Sequence, residues 1–173
     1  MTEGHVSGRF AAPGGRQLLG VVAALAAGAG LVVGAAEHLG GLQPCSLCWT
    51  QRGILALLMG VALVGTLAWP RGRVGRGLLG GALALVTAGG LAAAGRHLYV
   101  MANPEVVDCG MSPEVMLQML PWHAFLIELV TGNTDCANVA SLFGIPLPVA
   151  SFVGFTVLGA LSALALTRHR DAA

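Results

Sequence analysis

Four cysteines are the residues of this sequence best suited to chemistry. Cys45 and Cys48 form a CxxC motif, and Cys109 and Cys136 follow as a second, widely spaced pair. The CxxC spacing lets a disulfide open and close locally, and it lowers the pKa of one thiol so that a reactive thiolate forms. The motif therefore favours thiol–disulfide exchange as the chemistry of this protein.

Arg52 follows Cys48 by four residues, which places both on one helical face if a helix begins at the CxxC motif. Cys48 would then lie at a helix N-terminus, where the macrodipole favours an anion, and the arginine would favour the thiolate further. A cation at the edge of an apolar segment is costly and usually functional. We interpret Arg52 as part of the site; the alternative is an arginine that snorkels to lipid headgroups.

Two other roles for the thiols are open. A structural zinc site made of four cysteines usually has two closely spaced pairs, whereas Cys109 and Cys136 are far apart and no histidine stands at ligand spacing to either, so we expect no metal. Two static disulfides would instead make the chain a non-catalytic membrane scaffold. Two static disulfides would explain neither the position of Arg52 nor the presence of a CxxC motif beside an apolar segment.

Composition identifies the class of protein that must position these residues. The 173 residues are 55% apolar and 10% charged, with a mean hydropathy of +0.78, and all nine cations are arginines. An ordinary soluble domain carries about 25% charged residues. So few charges exclude a soluble enzyme and a disordered chain, and a net charge of +1 excludes a nucleic-acid binder. The protein is predicted to be an integral membrane protein.

Four stretches approach the roughly 20 apolar residues that cross a bilayer. They predict an all-α membrane protein, a four-transmembrane-helix bundle in one domain (1–173), with spans at about 18–36, 49–69, 78–95 and 145–167 and outer loops at about 37–48 and 96–144. Two small-xxx-small pairs, Gly30 with Gly34 and Gly77 with Gly81, predict close helix contacts. Codon bias towards small residues explains these pairs equally well.

The positions of the arginines predict the orientation in the membrane. Seven of the nine lie on one side of the spans, which we expect to be cytoplasmic together with both termini (Arg9, Arg16, Arg71, Arg73, Arg76, Arg168 and Arg170). All four cysteines then lie outside, where disulfides persist. The first span is alternatively a cleaved signal peptide, with a weak cleavage site at 24–26, although its apolar run is longer than such peptides usually have.

The second outer loop is too long to be a simple connection. Ser112, Pro113 and Glu114 are typical of a helix start, and apolar residues follow until Pro121 breaks the pattern. So apolar a segment outside the spans predicts a short interfacial helix lying flat on the membrane. The alternative is a loop that packs on the helix bundle.

The sequence resembles the DsbB family of disulfide-bond formation proteins. The resemblance rests on the motif Pro44-Cys45-Ser46-Leu47-Cys48-Trp49-Thr50-Gln51-Arg52, on the four spans, and on a second cysteine pair in a long outer loop. It also includes Asp135-Cys136-Ala137 and the segment Phe143-Gly144-Ile145-Pro146 before the last helix. Gln51 stands where the family often has an acid.

The resemblance implies a thiol:quinone oxidoreductase of the bacterial inner membrane. Cys109 and Cys136 would form a disulfide that oxidises a periplasmic thioredoxin-like partner of the DsbA type, and Cys109 would enter the mixed disulfide. Cys136 would then exchange with Cys45, leaving Cys48 as a thiolate against ubiquinone or menaquinone from the membrane pool. Residue-level reasoning also favours a quinone acceptor, because the sequence has no haem, flavin or iron–sulfur motif.

The resemblance also assigns two quinone-binding residues. Arg52 matches the family's arginine that supports the quinone and polarises its carbonyl, and His97 lies near the place of a quinone-proximal histidine. An ordinary interfacial histidine is the alternative for His97.

Overall fold

The structure is a computed structural model that describes residues 14–41, 44–70, 72–107, 111–137, 141–142 and 144–168. Its elements are α1 (Gly15–Gly40), α2 (Ser46–Leu67), α3 (Arg73–Ala102), α4 (Pro113–Met119), α5 (Trp122–Thr131), β1 (Ser141–Leu142), β2 (Ile145–Pro146) and α6 (Leu147–Thr167). Four of them, α1, α2, α3 and α6, are long and apolar enough to cross a membrane. The predicted all-α four-helix membrane bundle is confirmed.

The four long helices form a ring in which α1 contacts α2, α2 contacts α3, α3 contacts α6, and α6 returns to α1. Leu19, Leu58, Leu83 and Phe155 bring one large side chain from each helix into the common core. Because lipid is as apolar as these side chains, close packing holds such a bundle together. Arg16 donates to the Thr66 carbonyl oxygen at the end of the bundle opposite the CxxC motif.

The long helices extend beyond most of the charge-free stretches that predicted them. Helix α1 continues past Glu37 to Gly40, and α3 runs from Arg73 through Arg96 to Ala102. A charged side chain at the bilayer edge reaches water without interrupting the backbone hydrogen bonds of its helix. The charge-free runs therefore delimit the segment inside the apolar bilayer, and the helices themselves continue beyond it. Helix α6 instead starts at Leu147 because residues 145–146 pair with residues 141–142 in a minimal hairpin.

The glycines that bring helices together differ from those predicted. A Cβ atom on Gly30, Gly34, Gly77 or Gly81 would meet nothing within 4 Å, so these pairs do not form close helix contacts. Other glycines lie against side chains of neighbouring helices: Gly65 against Leu19, Gly90 against Phe155, and Gly159 against Thr87. Glycine and alanine occur throughout the spans, so their spacing alone does not show which face packs.

Replacing Gly90 by alanine should destabilise the bundle. The added Cβ would lie 2.5 Å from the Phe155 ring, a position that real Cβ atoms do not occupy, so the ring or the helix must move. Overpacking of this kind costs about 1–3 kcal/mol. Thermal unfolding in detergent should show a lower midpoint for Gly90→Ala, whereas Gly89→Ala, which adds its Cβ to open space, should unfold at the native midpoint or above it. Equal midpoints would contradict this packing.

The long outer segment folds into two short helices that meet at a proline. Helix α4 begins at Pro113, as predicted, and a second helix, α5, follows Pro121, where the sequence predicted only a break. Helix α5 is attached to the bundle at its C-terminal half, where Thr50 Oγ1 donates to the Leu129 carbonyl oxygen (2.7 Å) and Arg96 Nε to that of Thr131 (3.1 Å). The alternative prediction, that this segment packs on the helix bundle, therefore holds for the C-terminal half of α5. Trp122, Ile127 and Val130 stay exposed, and contact of this face with the membrane stays a prediction.

Candidate functional site

The first turn of α2 holds two thiols side by side. Cys45 is the N-cap residue and Cys48 lies three residues further, inside the first turn. This spacing leaves Cys45 Sγ and Cys48 Sγ 3.1 Å apart, with the Cys45 thiol donating. Cys45 is buried, whereas Cys48 is partly exposed, so the two thiols of the motif face different surroundings.

A third thiol reaches the same place from the far end of the outer segment. Cys136 ends a short 3-10 turn (Thr134–Cys136) and is fully buried. Its Sγ lies 3.6 Å from Ser46 Oγ and within 4.8 Å of Cys45 Sγ. Cys45 Sγ therefore lies close to the sulfurs of both Cys48 and Cys136, which direct thiol–disulfide exchange with either of them requires.

Two neighbouring residues hold the turn of Cys136 in place. Gly132 has φ +83°, and a side chain there would collide with Leu47, so this close approach to α2 requires glycine. The fully buried Asn133 donates through Nδ2 to the Met111 carbonyl oxygen (3.2 Å), and its Oδ1 lies 3.5 Å from Cys136 Sγ. Asn133 thereby ties the start of the outer segment to its end.

The environment separates the acidities of Cys45 and Cys136. The hydrogen bond that Cys45 donates to Cys136 stabilises the Cys136 thiolate, backbone and Ser46 hydrogen bonds assist, and together they lower the pKa of Cys136 to about 6. Sharing of its single hydrogen with the Cys136 and Cys48 sulfurs, together with burial, raises the pKa of Cys45 well above its usual range. Near neutral pH the reduced site therefore has a nucleophilic Cys136 thiolate beside a protonated Cys45.

A thiolate titration of the fully reduced protein should detect this difference. The Cys136 thiolate is present above pH 6 and is protonated below, so the ultraviolet thiolate absorbance should rise with a midpoint near pH 6. Cys45→Ala removes the principal donor and should move this midpoint upward. Cys136→Ala should lower the amplitude of this transition, and Cys109→Ala serves as the control that keeps it. A transition that persists unchanged without Cys136 would contradict the assignment.

His97 and Gln51 form a buried polar pair behind the CxxC motif. His97, on α3, is fully buried with Nε2 3.7 Å from Cys45 Sγ, and its Nδ1 lies 3.1 Å from Gln51 Nε2. The hydrogen bond at Nδ1 orients the ring, so that Nε2 faces the thiol. The structure thus brings His97 to Cys45, on the α3 side of α2.

Arg52 binds a partner that the sequence did not single out. Its Nη1 forms an ion pair with Glu37 Oε2 near the end of α1, one helix away. Both side chains are partly buried, with 31% and 16% of their surfaces exposed. Such a pair holds the guanidinium in one position. Removing the carboxylate would leave the half-buried charge of the arginine without a partner.

A largely apolar cavity of about 310 Å³ opens beside Cys48, between α1, α2 and α6. Cys48, Gln51 and Arg52 form its polar end. The rest of the wall is made of small and apolar residues, apart from one serine: Ala29, Gly30, Val32, Val33, Leu55, Leu147, Ala150, Ser151, Gly154, Phe155 and Leu158. Pockets with this combination, apolar walls and a few convergent polar groups, are typical small-molecule sites. His97 is not among the described residues that line this cavity.

The structure therefore brings together five of the six predicted site residues. Cys45, Cys136 and His97 meet on the α3 side of α2, and Cys48 and Arg52 meet at the cavity. The sixth, Cys109, lies outside the described residues. Sequence reasoning missed the contributions of Glu37, Gln51 and Asn133. Of these three, only Glu37 could have been found from the sequence, because it is an acid at the end of a predicted span and its charge complements that of Arg52.

Comparison with known proteins gives the family. A family model described as "Disulfide bond formation protein DsbB" matches residues 15–165, nearly the whole chain. The chain belongs to the DsbB family. The resemblance expected from the CxxC motif and the topology is confirmed, and the chain is a membrane protein of a disulfide-forming oxidoreductase family.

Curated DsbB relatives align over most of their length. Disulfide bond formation protein B of Alkalilimnicola ehrlichii is 49% identical over 78% of this chain and 82% of its own. The proteins of the same name from Marinobacter nauticus and Chromohalobacter salexigens are 39% and 37% identical, over 89% and 82% of this chain and 93% and 83% of theirs. No solved structure matches the chain with significance.

Proposed function

We propose that this DsbB protein oxidises a periplasmic DsbA-like dithiol partner and passes the electrons through two cysteine pairs to ubiquinone or menaquinone. The observation that carries the proposal is that Cys45 lies close to both Cys136 and Cys48 at the first turn of α2, with Cys48 at an apolar cavity next to Arg52. Disulfide formation in exported proteins would be sustained by repeated turnover of this site.

The exchange steps involve only sulfur atoms of the two proteins. A partner thiolate attacks Cys109 Sγ of a Cys109–Cys136 disulfide, a mixed disulfide forms, and Cys136 leaves as a thiolate. The second partner thiolate then releases oxidised partner and reduced Cys109. The Cys136 thiolate attacks Cys45 Sγ of a Cys45–Cys48 disulfide, so Cys48 leaves as a thiolate. The Cys109 thiolate then attacks Cys136 Sγ of the resulting Cys45–Cys136 disulfide, which restores the Cys109–Cys136 disulfide and leaves Cys45 and Cys48 both reduced. Each step makes one sulfur–sulfur bond and breaks one.

The residues around the cavity fit a quinone. Helices α1 and α6 supply smooth apolar walls for a flat ring, and Cys48 stands at the polar end with Arg52 and Gln51. A bound quinone supplies a two-electron acceptor for the reduced cysteine pair. Arg52 would donate hydrogen bonds to a ring oxygen and stabilise negative charge there, while Glu37 restrains its guanidinium.

We retain His97 as a site residue and propose that it acts through its neighbours. Its ring reaches Cys45 on one side, and on the other it bonds Gln51, which lines the cavity. His97 would therefore position the attacked thiol and the amide at the polar end of the quinone site.

The proposed location is the bacterial inner membrane, with both termini in the cytoplasm and the cysteine-bearing loops in the periplasm. The arginine distribution supports this orientation. Among the described residues, Arg16, Arg73, Arg76 and Arg168 lie at the helix ends opposite the thiol cluster. The periplasmic side is also the one on which disulfides persist.

Quinol formation tests the proposed function. Purified protein, a reduced DsbA-like partner and a soluble ubiquinone or menaquinone analogue should together yield one quinol per partner disulfide formed. Cys48→Ala should give no quinol, and His123→Ala, at an exposed site in α5, should behave like the native protein. A native protein that is folded yet produces no quinol with any quinone would instead favour the alternative, a non-catalytic scaffold with two structural disulfides.

A further inference from the structure

Three buried metal-binding atoms meet beside the CxxC motif. Cys45 Sγ, Cys136 Sγ and His97 Nε2 all lie within 4.8 Å of one another, and none of the three residues is more than 4% exposed. Two thiolates and an imidazole are ligands that zinc prefers. We propose that the reduced protein binds one Zn²⁺ ion at Cys45, Cys136 and His97, and that the bound ion inhibits disulfide exchange.

The separations of these atoms agree with tetrahedral zinc coordination. Zinc–sulfur bonds of about 2.3 Å and zinc–nitrogen bonds of about 2.0 Å place neighbouring ligand atoms roughly 3.5–3.8 Å apart. The distance from Cys45 Sγ to His97 Nε2 is 3.7 Å. Three protein ligands leave a fourth position, which water would complete.

Neighbouring side chains orient the ligands as they do in known zinc sites. A coordinating histidine usually holds its other ring nitrogen in a hydrogen bond, and here Nδ1 of His97 meets the Gln51 amide at 3.1 Å. With the amide oxygen turned to Nδ1–H, the lone pair of Nε2 faces both sulfurs. Ser46 Oγ, 3.6 Å from Cys136 Sγ, adds a donor to a ligating thiolate.

Zinc binding and catalysis would compete for the same sulfur atoms. Binding requires both sulfurs as thiolates and changes no oxidation state. A Cys45 that is in a disulfide offers no thiolate, so the site exists in the reduced protein only. Once bound, the ion occupies the sulfur lone pairs that exchange requires, and it therefore holds the protein in its reduced, inactive state.

Anaerobic titration of the full-length reduced protein with Zn²⁺ against a coloured chelator tests the binding. The native protein should bind one zinc ion, and the oxidised protein none at this site. His97→Phe and Cys136→Ser should each weaken binding at least roughly tenfold, whereas the exposed-site control His123→Phe should not. Binding to the CxxC pair alone is the competing arrangement, and Cys48→Ser separates the two because it leaves all three proposed ligands in place.

Retained affinity in both His97→Phe and Cys136→Ser, or loss of binding in Cys48→Ser, would overturn the proposal. Cobalt substitution supplies a readout that does not depend on activity: the thiolate-to-cobalt absorption should weaken in Cys136→Ser and shift in His97→Phe. Zinc should also slow quinol formation reversibly, and each variant is compared with its own zinc-free rate. Normal catalysis in a protein that binds no zinc would refute this site and leave the proposed function standing.

Discussion

Replacing Cys136 by alanine is expected to block oxidation of the DsbA-like partner by more than about a hundredfold, while quinone still reoxidises the Cys45–Cys48 pair. Cys136 is the thiol that the structure places close to Cys45 from the outer segment, so in the proposed relay no electrons from the partner reach the CxxC motif without it. The Cys48 side of the site, at the cavity, is untouched by the substitution.

Two assays on one preparation measure this separation. Partner oxidation is followed with quinone in excess, and reoxidation of the chemically reduced CxxC pair is followed without partner. Cys109→Ala should behave like Cys136→Ala, and Thr134→Ala, in the same 3-10 turn, is the control that keeps every thiol. Full turnover with the partner in either cysteine variant would rule out the relay through two pairs.

Arg52→Met should lower kcat/KM for quinone by ten- to a hundredfold. The substitution keeps the length and the apolar stem of the side chain and removes the charge and its donors from the polar end of the cavity. A hydrogen bond to a charged group contributes roughly 1.5–3 kcal/mol, which corresponds to that range. KM should rise, and kcat should also fall if the interaction strengthens in the transition state. Arg52→Lys should lose less, because the charge remains without the planar fork.

The Glu37–Arg52 ion pair provides a sharper test of the same role. If Glu37 acts by restraining the guanidinium, Glu37→Gln should impair quinone kinetics in the native background and have little further effect in Arg52→Met. Arg96→Met is the matched control, since Arg96 is the other arginine at this end of the bundle among the residues that the structure describes, and it binds the Thr131 carbonyl oxygen. Unchanged kcat/KM in folded Arg52→Met would mean that Arg52 merely snorkels to the lipid headgroups.

Features that depend on short stretches of sequence were predictable. Charge-free runs predicted four spans because a bilayer core excludes charge whatever the fold, and four helices of that length are present. The CxxC motif predicted adjacent thiols at a helix start because three residues determine that geometry, and Cys45 indeed caps α2. The segment Ser112-Pro113-Glu114 likewise predicted where α4 begins.

Contacts between distant segments were decided by the tertiary structure. His97 meets Cys45 across 52 positions and Cys136 meets Ser46 across 90, while Glu37 pairs with Arg52 across 15. The helix faces that pack against one another could not be predicted from the sequence either. Lipid and protein interior are both apolar, so the spans carry no amphipathic pattern that distinguishes the packed face from the lipid-facing one. The spacing of residues in the sequence shows which side chains share a face of one helix. Which histidine, acid or glycine of another helix contacts that face depends on how the neighbouring helices are rotated about their axes. Only the packing of the helices against one another determines that rotation.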